Sequence, residues 1–256
     1  MATLSRRKLI EGIGVGIPLA AILADPLLAR AAASELENVS ISTASGKKVN
    51  AAMARPDAKK APAVLLVHEW WGLNDQIKSV AREFANLGYL ALAIDLYDGN
   101  VTANPEQARA YMQATNGDEA RETVAAWGKW LLSHPTATGK AGSVGWCFGG
   151  GWSLNAALAS PLDCAVVYYG RVDKKASELA PLKGPVLGHF ATRDQWINKK
   201  MVDGFSMEMK KADKPFFPNW YEADHAFANP TGARYDRKDA QLAWQRTTDF
   251  FAKYLH

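Results

Sequence analysis

The sequence predicts a single α/β domain, in which a mostly parallel sheet carries helices on both faces. Two observations predict it. Short apolar runs alternate along the chain with segments of helical spacing, and some of these runs are uninterrupted, as in strands buried on both faces. No internal repeat or low-complexity linker divides the chain. Its 256 residues, of which 48% are hydrophobic and 22% charged, suffice to bury a core without metal or disulfide support.

The first half of the chain predicts four strands and a helix. A turn at residues 44–46 divides residues 38–56 into two short strands. Residues 63–67 read Ala-Val-Leu-Leu-Val and predict a buried strand. Apolar residues recur at helical spacing over residues 74–87, a glycine follows, and residues 89–96 predict the next buried strand.

The second half continues the alternation. A long helical stretch over residues 105–133 contains a break at Asn116-Gly117. The remaining predicted elements are a strand over 142–146, a helix over 150–159, strands over 164–169 and 185–192, a helix near 201–212, a strand over 216–222 and a closing amphipathic helix over 236–255. Alternation of this kind favours parallel pairing with helical crossovers.

Residues 1–33 are interpreted as an export signal outside the folded domain. Arg6, Arg7 and Lys8 precede an uncharged run, and the small residues in Ala29-Arg30-Ala31-Ala32-Ala33 suit a signal peptidase. The uncharged run has thirteen residues and would rise only about 20 Å as a helix, too little for the ~30 Å core of a bilayer. We therefore expect no stable membrane insertion.

The segment Ser5-Arg6-Arg7-Lys8-Leu9-Ile10 resembles a twin-arginine signal, with Leu9 where phenylalanine is usual and Glu11 where lysine is usual. The resemblance implies that the twin-arginine export machinery moves the folded protein to the bacterial periplasm. We take residues 34–256 as the mature domain, and cleavage after Ala31 or after Ala33 fits the small residues there. An uncleaved amphipathic anchor and a cytosolic protein are the alternatives.

Charge and composition exclude several classes of partner. The chain has a formal net charge of +4, and residues 1–31 hold four basic and two acidic side chains, which leaves a net charge of +2 on the rest. Pairs of lysines are spread between acidic and aromatic residues, whereas a nucleic-acid footprint needs a concentrated basic face. We expect no nucleic-acid partner. The glycine motifs of dinucleotide and phosphate sites are missing, and we expect no cofactor and no metal.

The sharpest local signal is the segment Val144-Gly145-Trp146-Cys147-Phe148-Gly149-Gly150, between a predicted strand and a predicted helix. Glycines two residues before and two residues after Cys147 suit the strained turn that presents a nucleophile. In such a turn the N–H of Phe148 points to the place where an oxyanion forms, at the positive end of a helix that also favours a thiolate. The alternative is a glycine-rich turn around a buried structural cysteine.

A cysteine nucleophile needs a base and an acid that orients the base, and this fold class places them after later strands in the order nucleophile, acid, histidine. Asp194 and His225 each follow a predicted strand in that order. Asp224 is the rival acid, but adjacent residues seldom direct their side chains at one another. The other histidines are less suitably placed: before the nucleophile (His68), in a loop (His134), within a strand (His189) and at the end of the chain (His256).

Together these motifs resemble the dienelactone hydrolase family, within the α/β-hydrolase fold, over about residues 38–255. The resemblance rests on Gly-x-Cys-x-Gly combined with His68-Glu69-Trp70-Trp71-Gly72-Leu73, Asp95-Leu96-Tyr97 and His225-Ala226-Phe227. It implies a catalytic triad of Cys147, His225 and Asp194. It also implies that Glu69 pairs with the cysteine in the resting enzyme, and that the backbone N–H groups of Phe148 and Trp70 bind the oxyanion.

The activity that the resemblance implies is hydrolysis of a small-molecule ester or lactone, such as a carboxymethylenebutenolide, through a thioester on the cysteine. The expected substrate-binding residues are Tyr97, Trp71 and Tyr169, with Trp70, Phe148 and Trp196 as further candidates for an aromatic wall.

The arginines with which relatives bind the carboxylate of dienelactone are missing at their expected places. Asp98 follows Tyr97, and Asn229 stands four residues after His225. The substrate therefore need not be dienelactone. The candidate substitutes for these arginines are Arg171, Arg193 and Arg234.

Two interpretations from other classes stay open. One is a redox-active thiol protein in which Cys147 reacts with peroxide and Cys164 resolves the product. The other is a binding protein on a hydrolase scaffold, which captures an aromatic ligand in a cleft built from some of the nine tryptophans.

Overall fold

The computed structural model describes residues 25–256, and residues 1–24 lie outside the described part. The strands are β1 (Glu37–Ser42), β2 (Lys48–Ala54), β3 (Ala61–Val67), β4 (Leu90–Ile94), β5 (Ala137–Trp146), β6 (Cys164–Tyr168), β7 (Val186–Ala191) and β8 (Phe216–Tyr221). The helices are α1 (Pro26–Ala33), α2 (Asp75–Asn86), α3 (Pro105–Ala114), α4 (Gly117–Ser133), α5 (Phe148–Ala159), α6 (Ala176–Leu179), α7 (Lys199–Lys211) and α8 (Arg237–Leu255).

The strands form one sheet in the order β1-β2-β4-β3-β5-β6-β7-β8. β2 pairs with β1 and β4 in the antiparallel sense, and the remaining pairs are parallel. The carboxyl ends of β3 and β5 to β8 therefore meet along one edge, where Val67 lies beside Gly145 and Trp146 lies beside Tyr168. Side chains that follow these strands are brought together there. The mostly parallel α/β fold predicted from the sequence is confirmed.

Helices cover both faces of the sheet. Alternate residues of β3 point to opposite faces, so Leu65 and Val67 pack in one apolar cluster and Val64 and Leu66 in the other. Helices α4, α5 and α7 cover the first face, and α2 and α8 cover the second. Because both faces are buried, β3 carries apolar residues at every position.

Polar caps mark where helices begin. Asn74 starts α2 by accepting a hydrogen bond from the N–H of Ile77 at 3.2 Å. Asn116 starts α4 by accepting from the N–H groups of Asp118 and Glu119 at 2.9 and 3.3 Å. Such caps satisfy donors that the first helical turn leaves unpaired. The break predicted in the long helical stretch is therefore the boundary between α3 and α4.

Two elements begin earlier than predicted in ways that bear on the site or the sheet, and one short helix was not predicted. β5 begins at Ala137, five residues early, because Ala137 still pairs with Ala61 across a register shift although residues 138–140 are exposed. α5 begins at Phe148, directly after Cys147 and two residues before the predicted start. α6 was not predicted, since a helix of four residues is too short to show a hydrophobic period.

Helix α1 covers part of the segment interpreted as an export signal. Ala29 and Ala32 are buried where α1 packs on α2, and the hydroxyl of Ser79 donates to the carbonyl of Ala29 at 2.8 Å. The rest of that segment lies in residues 1–24, outside the described part, and export stays a prediction. Within residues 25–256 there is no helix with the length and apolar character to cross a membrane.

Candidate active site

The turn after β5 presents Cys147 immediately before α5. Its φ of 54° and ψ of −117° are adopted by non-glycine residues only where the surrounding structure imposes them, at a cost of about 1–3 kcal/mol. A Cβ on Gly145 would overlap the carbonyl of Gly149, and a Cβ on Gly149 would overlap the carbonyl oxygens of Val67 and His68. The two glycines therefore allow the turn to lie directly against the end of β3.

The structure brings three predicted side chains into one hydrogen-bonded row. Nε2 of His225 lies 3.1 Å from Sγ of Cys147, and Nδ1 of the same ring lies 2.6 Å from Oδ2 of Asp194. Oδ1 of Asp194 accepts from the N–H groups of Trp196 and Ile197 at 2.8 and 3.0 Å. These two bonds fix the carboxylate, which in turn orients the imidazole.

Hydrogen bonds within this row favour a positive charge on His225 and a negative charge on Asp194. Burial alone would lower the pKa of His225, but hydrogen bonds to Asp194 and Cys147 outweigh burial and raise that pKa to about 10. Burial alone would raise the pKa of Asp194, yet the hydrogen bond to His225 and its positive charge hold it below its ordinary value. The row therefore favours the protonated form of His225 next to the sulfur.

Glu69 lies buried after the end of β3, and its carboxylate is held by two side chains. Oε1 accepts from the hydroxyl of Tyr169 at 3.3 Å, and Oε2 accepts from the amide of Asn229 at 2.5 Å. Burial raises the pKa of Glu69 to about 7, although both hydrogen bonds and His225 act in the opposite direction. Within the described part of the chain, no hydrogen bond joins Glu69 to Cys147, so this structure does not contain the pair that the resemblance implies.

The backbone N–H groups of Phe148 and Trp70 are the two that the resemblance assigns to the oxyanion. Phe148 is the first residue of α5, so its N–H has no partner inside the helix and lies at the positive end of the helix dipole. Trp70 lies in the loop after β3. Neither N–H donates a hydrogen bond to any residue in the described part of the chain, so both are free to bind a ligand.

Comparison with known proteins places the chain in a family. Residues 49–255, most of the chain, match the dienelactone hydrolase family. The chain belongs to the dienelactone hydrolase family. Among curated relatives it is similar to the carboxymethylenebutenolidase of Pseudomonas putida, with 28% identity over 84% of this chain and 96% of that protein. It is also similar to carboxymethylenebutenolidase 1 of Cupriavidus pinatubonensis, with 25% identity over 84% of this chain and 96% of that protein.

Solved structures share the fold of this dienelactone hydrolase family member. The crystal structure of a dienelactone hydrolase-like promiscuous phosphotriesterase from metagenomic libraries superposes with a TM-score of 0.78 at 22% identity, and covers 86% of this chain and 99% of that chain. At this identity the likeness concerns the fold alone. The family and its carboxymethylenebutenolidase members make this chain a hydrolase of esters or lactones.

The three aromatic residues predicted to bind substrate differ in their surroundings. Tyr97 is buried, and its hydroxyl has no hydrogen-bond partner in the described part of the chain. Trp71 is half-buried and meets Trp70 edge-on, with ring centroids 4.8 Å apart. Tyr169 is fully buried with its hydroxyl on Glu69. Tyr169 therefore holds that carboxylate rather than lining an open pocket.

Trp196 opens to solvent beside the row. Its side chain is 59% exposed, and its ring meets the imidazole of His225 edge-on with centroids 5.2 Å apart. The guanidinium of Arg234 lies over the same indole, 5.5 Å from its centroid. Of the three arginines considered as substitutes, Arg234 is therefore the one that adjoins an exposed aromatic side chain next to the histidine.

The other two candidate arginines are engaged by carboxylates. Arg171 pairs with Asp173 at 2.6 Å, and Arg193 pairs with Asp224 at 3.4 Å. Asp224, the rival acid of the sequence analysis, thus contacts an arginine at the surface, and Asp194 is the acid hydrogen-bonded to the histidine.

Cys164 lies too far away to resolve an oxidised Cys147. It pairs with Gly142 at the beginning of β6, whereas Trp146, the residue before Cys147, pairs with Tyr168 at the other end. Four residues of strand at roughly 3.3 Å each separate these positions by more than about 10 Å, and a disulfide needs Cα atoms within about 7 Å. Burial also raises the pKa of the Cys164 thiol above its ordinary value. The redox interpretation is not favoured.

Two residues that the sequence analysis did not select contact the site. Asn229, noted only as a missing arginine, holds Glu69, and its position four residues after His225 was the available signal. His68, set aside because it precedes Cys147, is completely buried, with its ring hydrogen-bonded to the carbonyl of Glu69 and stacked on Phe148. A polar residue directly before the glutamate, at the end of an apolar strand, was the signal for it.

Proposed function

We propose that Cys147 is the nucleophile of this hydrolase, that His225 is its base and acid, and that Asp194 orients the imidazole. One observation carries the proposal: the imidazole bridges Sγ of Cys147 and the carboxylate of Asp194 at 3.1 and 2.6 Å. A nucleophile, a base and an orienting acid within hydrogen-bond reach are the geometric requirement for covalent acyl transfer.

In the first half-reaction Nε2 of His225 takes the thiol proton of Cys147 while the sulfur attacks the carbonyl carbon of an ester or lactone, and the carbonyl oxygen becomes an oxyanion. The N–H groups of Phe148 and Trp70 receive this oxygen, and each donor lowers the barrier by about 3 kcal/mol. The proton on Nε2 of His225 passes to the leaving alkoxide as its bond to carbon breaks. A thioester remains on the sulfur, together with an alcohol or, from a lactone, a hydroxyl on the same acyl chain.

In the second half-reaction water attacks the thioester. His225, now neutral, takes a proton from the water while the oxygen bonds to the acyl carbon. The tetrahedral intermediate places its charge on the same two N–H groups and then expels the sulfur. A carboxylic acid leaves, and the proton that His225 holds restores the starting state beside Cys147.

For Glu69 we propose an electrostatic role. Its carboxylate accepts from the hydroxyl of Tyr169, whose ring also meets the imidazole of His225 with centroids 5.2 Å apart, and a negative charge at Glu69 would favour the protonated imidazole. Cys147 is then paired with the histidine before substrate arrives. The pairing with Cys147 that the resemblance implies would require Glu69 to break its hydrogen bonds to Tyr169 and Asn229 and to rotate toward the sulfur.

The substrate that we propose is a small ester or lactone without an obligatory carboxylate. Asp98 and Asn229 offer no cation at the two positions where the resemblance expects arginines, and Asn229 is already engaged by Glu69. The exposed indole of Trp196 next to His225 favours an apolar group on the substrate.

The test is hydrolysis of p-nitrophenyl acetate by the protein and by its Cys147→Ala variant, with Cys164→Ala as the matched control. We expect Cys147→Ala to lose at least about 1,000-fold in kcat, because the covalent intermediate can no longer form. Cys164→Ala should retain activity. Mass spectrometry of the quenched reaction should find the acetyl group on Cys147. Equal turnover by Cys147→Ala and the unsubstituted protein would overturn the proposal.

A further inference from the structure

We propose that His68 is a positioning residue that sets the direction of the second oxyanion donor, the N–H of Trp70. The inference rests on the proposed function, because it concerns an oxyanion formed during the reaction. His68 has no solvent exposure and follows β3, a strand with apolar residues at every position. A polar side chain buried in such surroundings is costly unless both of its polar atoms are paired.

Both ring nitrogens of His68 are paired with the backbone. Nε2 lies 3.1 Å from the nitrogen of Leu96, which can only donate, so Nε2 is the acceptor and Nδ1 carries the proton. Nδ1 lies 2.5 Å from the carbonyl oxygen of Glu69, which can only accept. The neighbouring backbone therefore selects one neutral tautomer. Burial supports it by lowering the pKa of His68 below its ordinary value.

The hydrogen bond from His68 to the carbonyl of Glu69 fixes the orientation of the peptide between Glu69 and Trp70. The described chain contains no cis peptide, and in a trans peptide the C=O and the following N–H point in opposite directions. The carbonyl of Glu69 is held toward the imidazole and also accepts from the N–H of Gly72 at 3.3 Å. The N–H of Trp70 must therefore face away from His68. Rotation of this one peptide would remove the donor without displacing any side chain of the triad.

The ring of His68 also packs against the residue that carries the other oxyanion donor. It stacks on Phe148 with centroids 5.9 Å apart and planes at 22°, and it meets Tyr97 edge-on at 4.7 Å. In the described part of the chain it makes no hydrogen bond to any of the three triad side chains. His68 thus contacts the Glu69–Trp70 peptide through a hydrogen bond and Phe148 through its ring. It acts on the reaction through the two N–H donors that these residues carry.

The decisive variant is His68→Phe, which keeps an aromatic ring for packing and removes both hydrogen bonds. Two measurements distinguish an effect on oxyanion stabilisation from an effect on the reactivity of the thiol. They are hydrolysis of p-nitrophenyl acetate and alkylation of Cys147 by iodoacetamide. Alkylation joins sulfur to a saturated carbon and expels iodide, so no oxyanion forms. We expect kcat for hydrolysis to fall about 10- to 100-fold. The N–H of Trp70 would donate to the oxyanion only in the transition state, so turning this N–H away lowers kcat. KM and the alkylation rate should stay within about twofold.

Two further variants control this result. Gln presents one donor and one acceptor, as the imidazole does, so His68→Gln should recover most of the lost kcat. His189→Phe removes another completely buried histidine, whose nitrogens bind Tyr221 and Thr247 at 2.8 and 3.0 Å, and it should keep kcat. Circular dichroism and thermal unfolding establish that each variant is folded.

The outcomes separate this inference from the proposed function. Unchanged hydrolysis by His68→Phe, in a protein that Cys147→Ala inactivates, would overturn the role of His68 and leave the proposed function intact. Equal losses of hydrolysis and alkylation would also overturn it, because His68 would then act on the thiol or on the fold. Hydrolysis that survives Cys147→Ala would overturn the proposed function, and the inference with it.

Discussion

Glu69 shows how the role of a residue depends on neighbours that are remote in sequence. A carboxylate that follows a wholly apolar strand needs a partner, so the sequence alone could single it out. The identity of the partner could not be predicted in the same way. The resemblance implies Cys147, whereas the structure provides Tyr169 and Asn229, the latter 160 positions further along the chain. Only the packing of the complete sheet brings these loops together.

The buried carboxylate should make stability depend on pH. Its pKa is raised from 4.5 to about 7, so its contribution to the free energy of unfolding is fully present below pH 4.5 and is lost as the pH rises through 7. Glu69→Gln removes this titration. Between pH 5 and pH 8 the protein should therefore lose more stability than the variant, by on the order of 2–3 kcal/mol. Urea unfolding of both proteins at the two pH values measures the difference.

A matched control for this prediction is Glu106→Gln, which removes an exposed carboxylate from the first turn of α3. Its stability should follow that of the unsubstituted protein at both pH values. If Glu69→Gln loses as much stability between pH 5 and pH 8 as these two proteins, the prediction is wrong. The carboxylate would then already be ionised at pH 5, with its burial compensated by Tyr169 and Asn229.

At the scale of elements, the strand-to-helix turn joins the sequence pattern most directly to the site. In Gly149→Ala the new Cβ would meet the carbonyl oxygens of Val67 and His68, which are backbone atoms and cannot move aside. The start of α5 must then shift away from β3 and carry Cys147 with it. We expect a loss of about 1–3 kcal/mol in the free energy of unfolding and about 100-fold in kcat/KM, because small displacements of a nucleophile are costly.

Gly204→Ala is the control for this substitution. Gly204 lies within α7, where a Cβ would meet no atom within 4 Å, so alanine should stabilise the helix by about 0.5–1 kcal/mol and leave kcat/KM unchanged. Denaturant unfolding and p-nitrophenyl acetate hydrolysis measure both variants. Full activity in Gly149→Ala would show that the turn tolerates a side chain there and that this account of the spacing is wrong.

The sequence predicted best the buried elements in which apolar residues form a continuous run or recur at helical spacing. β3, β6 and the helix α2 lie within two residues of their predicted bounds, because an apolar run or a helical stripe reflects burial directly. The beginning of β5 and the short α6 were missed, since exposed pairing and a single helical turn leave no such pattern. For the site, strand order placed Cys147, Asp194 and His225 at one sheet edge, whereas the contacts of His68 depend on loop packing.

At the scale of the whole molecule, we propose that residues 1–33 direct export and are then removed. The basic residues, the uncharged run and the small residues before Ser34 support the proposal. Cleavage after Ala33 would remove α1, which packs on α2 and contributes three buried alanines, Ala29, Ala32 and Ala33. The hydroxyl of Ser79 would lose the carbonyl of Ala29 and keep its 2.7 Å bond to the carbonyl of Asp75 inside α2. The domain can therefore lose α1 without leaving this buried hydroxyl unpaired.

Chains that begin at Asp25 and at Ser34 should differ in stability but not in catalysis. Loss of α1 removes the packing of a short helix whose buried residues are alanines, so we expect the free energy of unfolding of the shorter chain to be about 1–2 kcal/mol lower. Its kcat should be unchanged, because α1 packs on α2 and makes no hydrogen bond to the triad in the described part of the chain. Denaturant unfolding and p-nitrophenyl acetate hydrolysis compare the two chains.

The intact mass of the protein exported by a bacterium with a twin-arginine pathway tests whether residues 1–33 are removed. A secreted chain that retains α1, or a chain from Ser34 that fails to fold, would contradict the assignment of residues 26–33 to a removable segment.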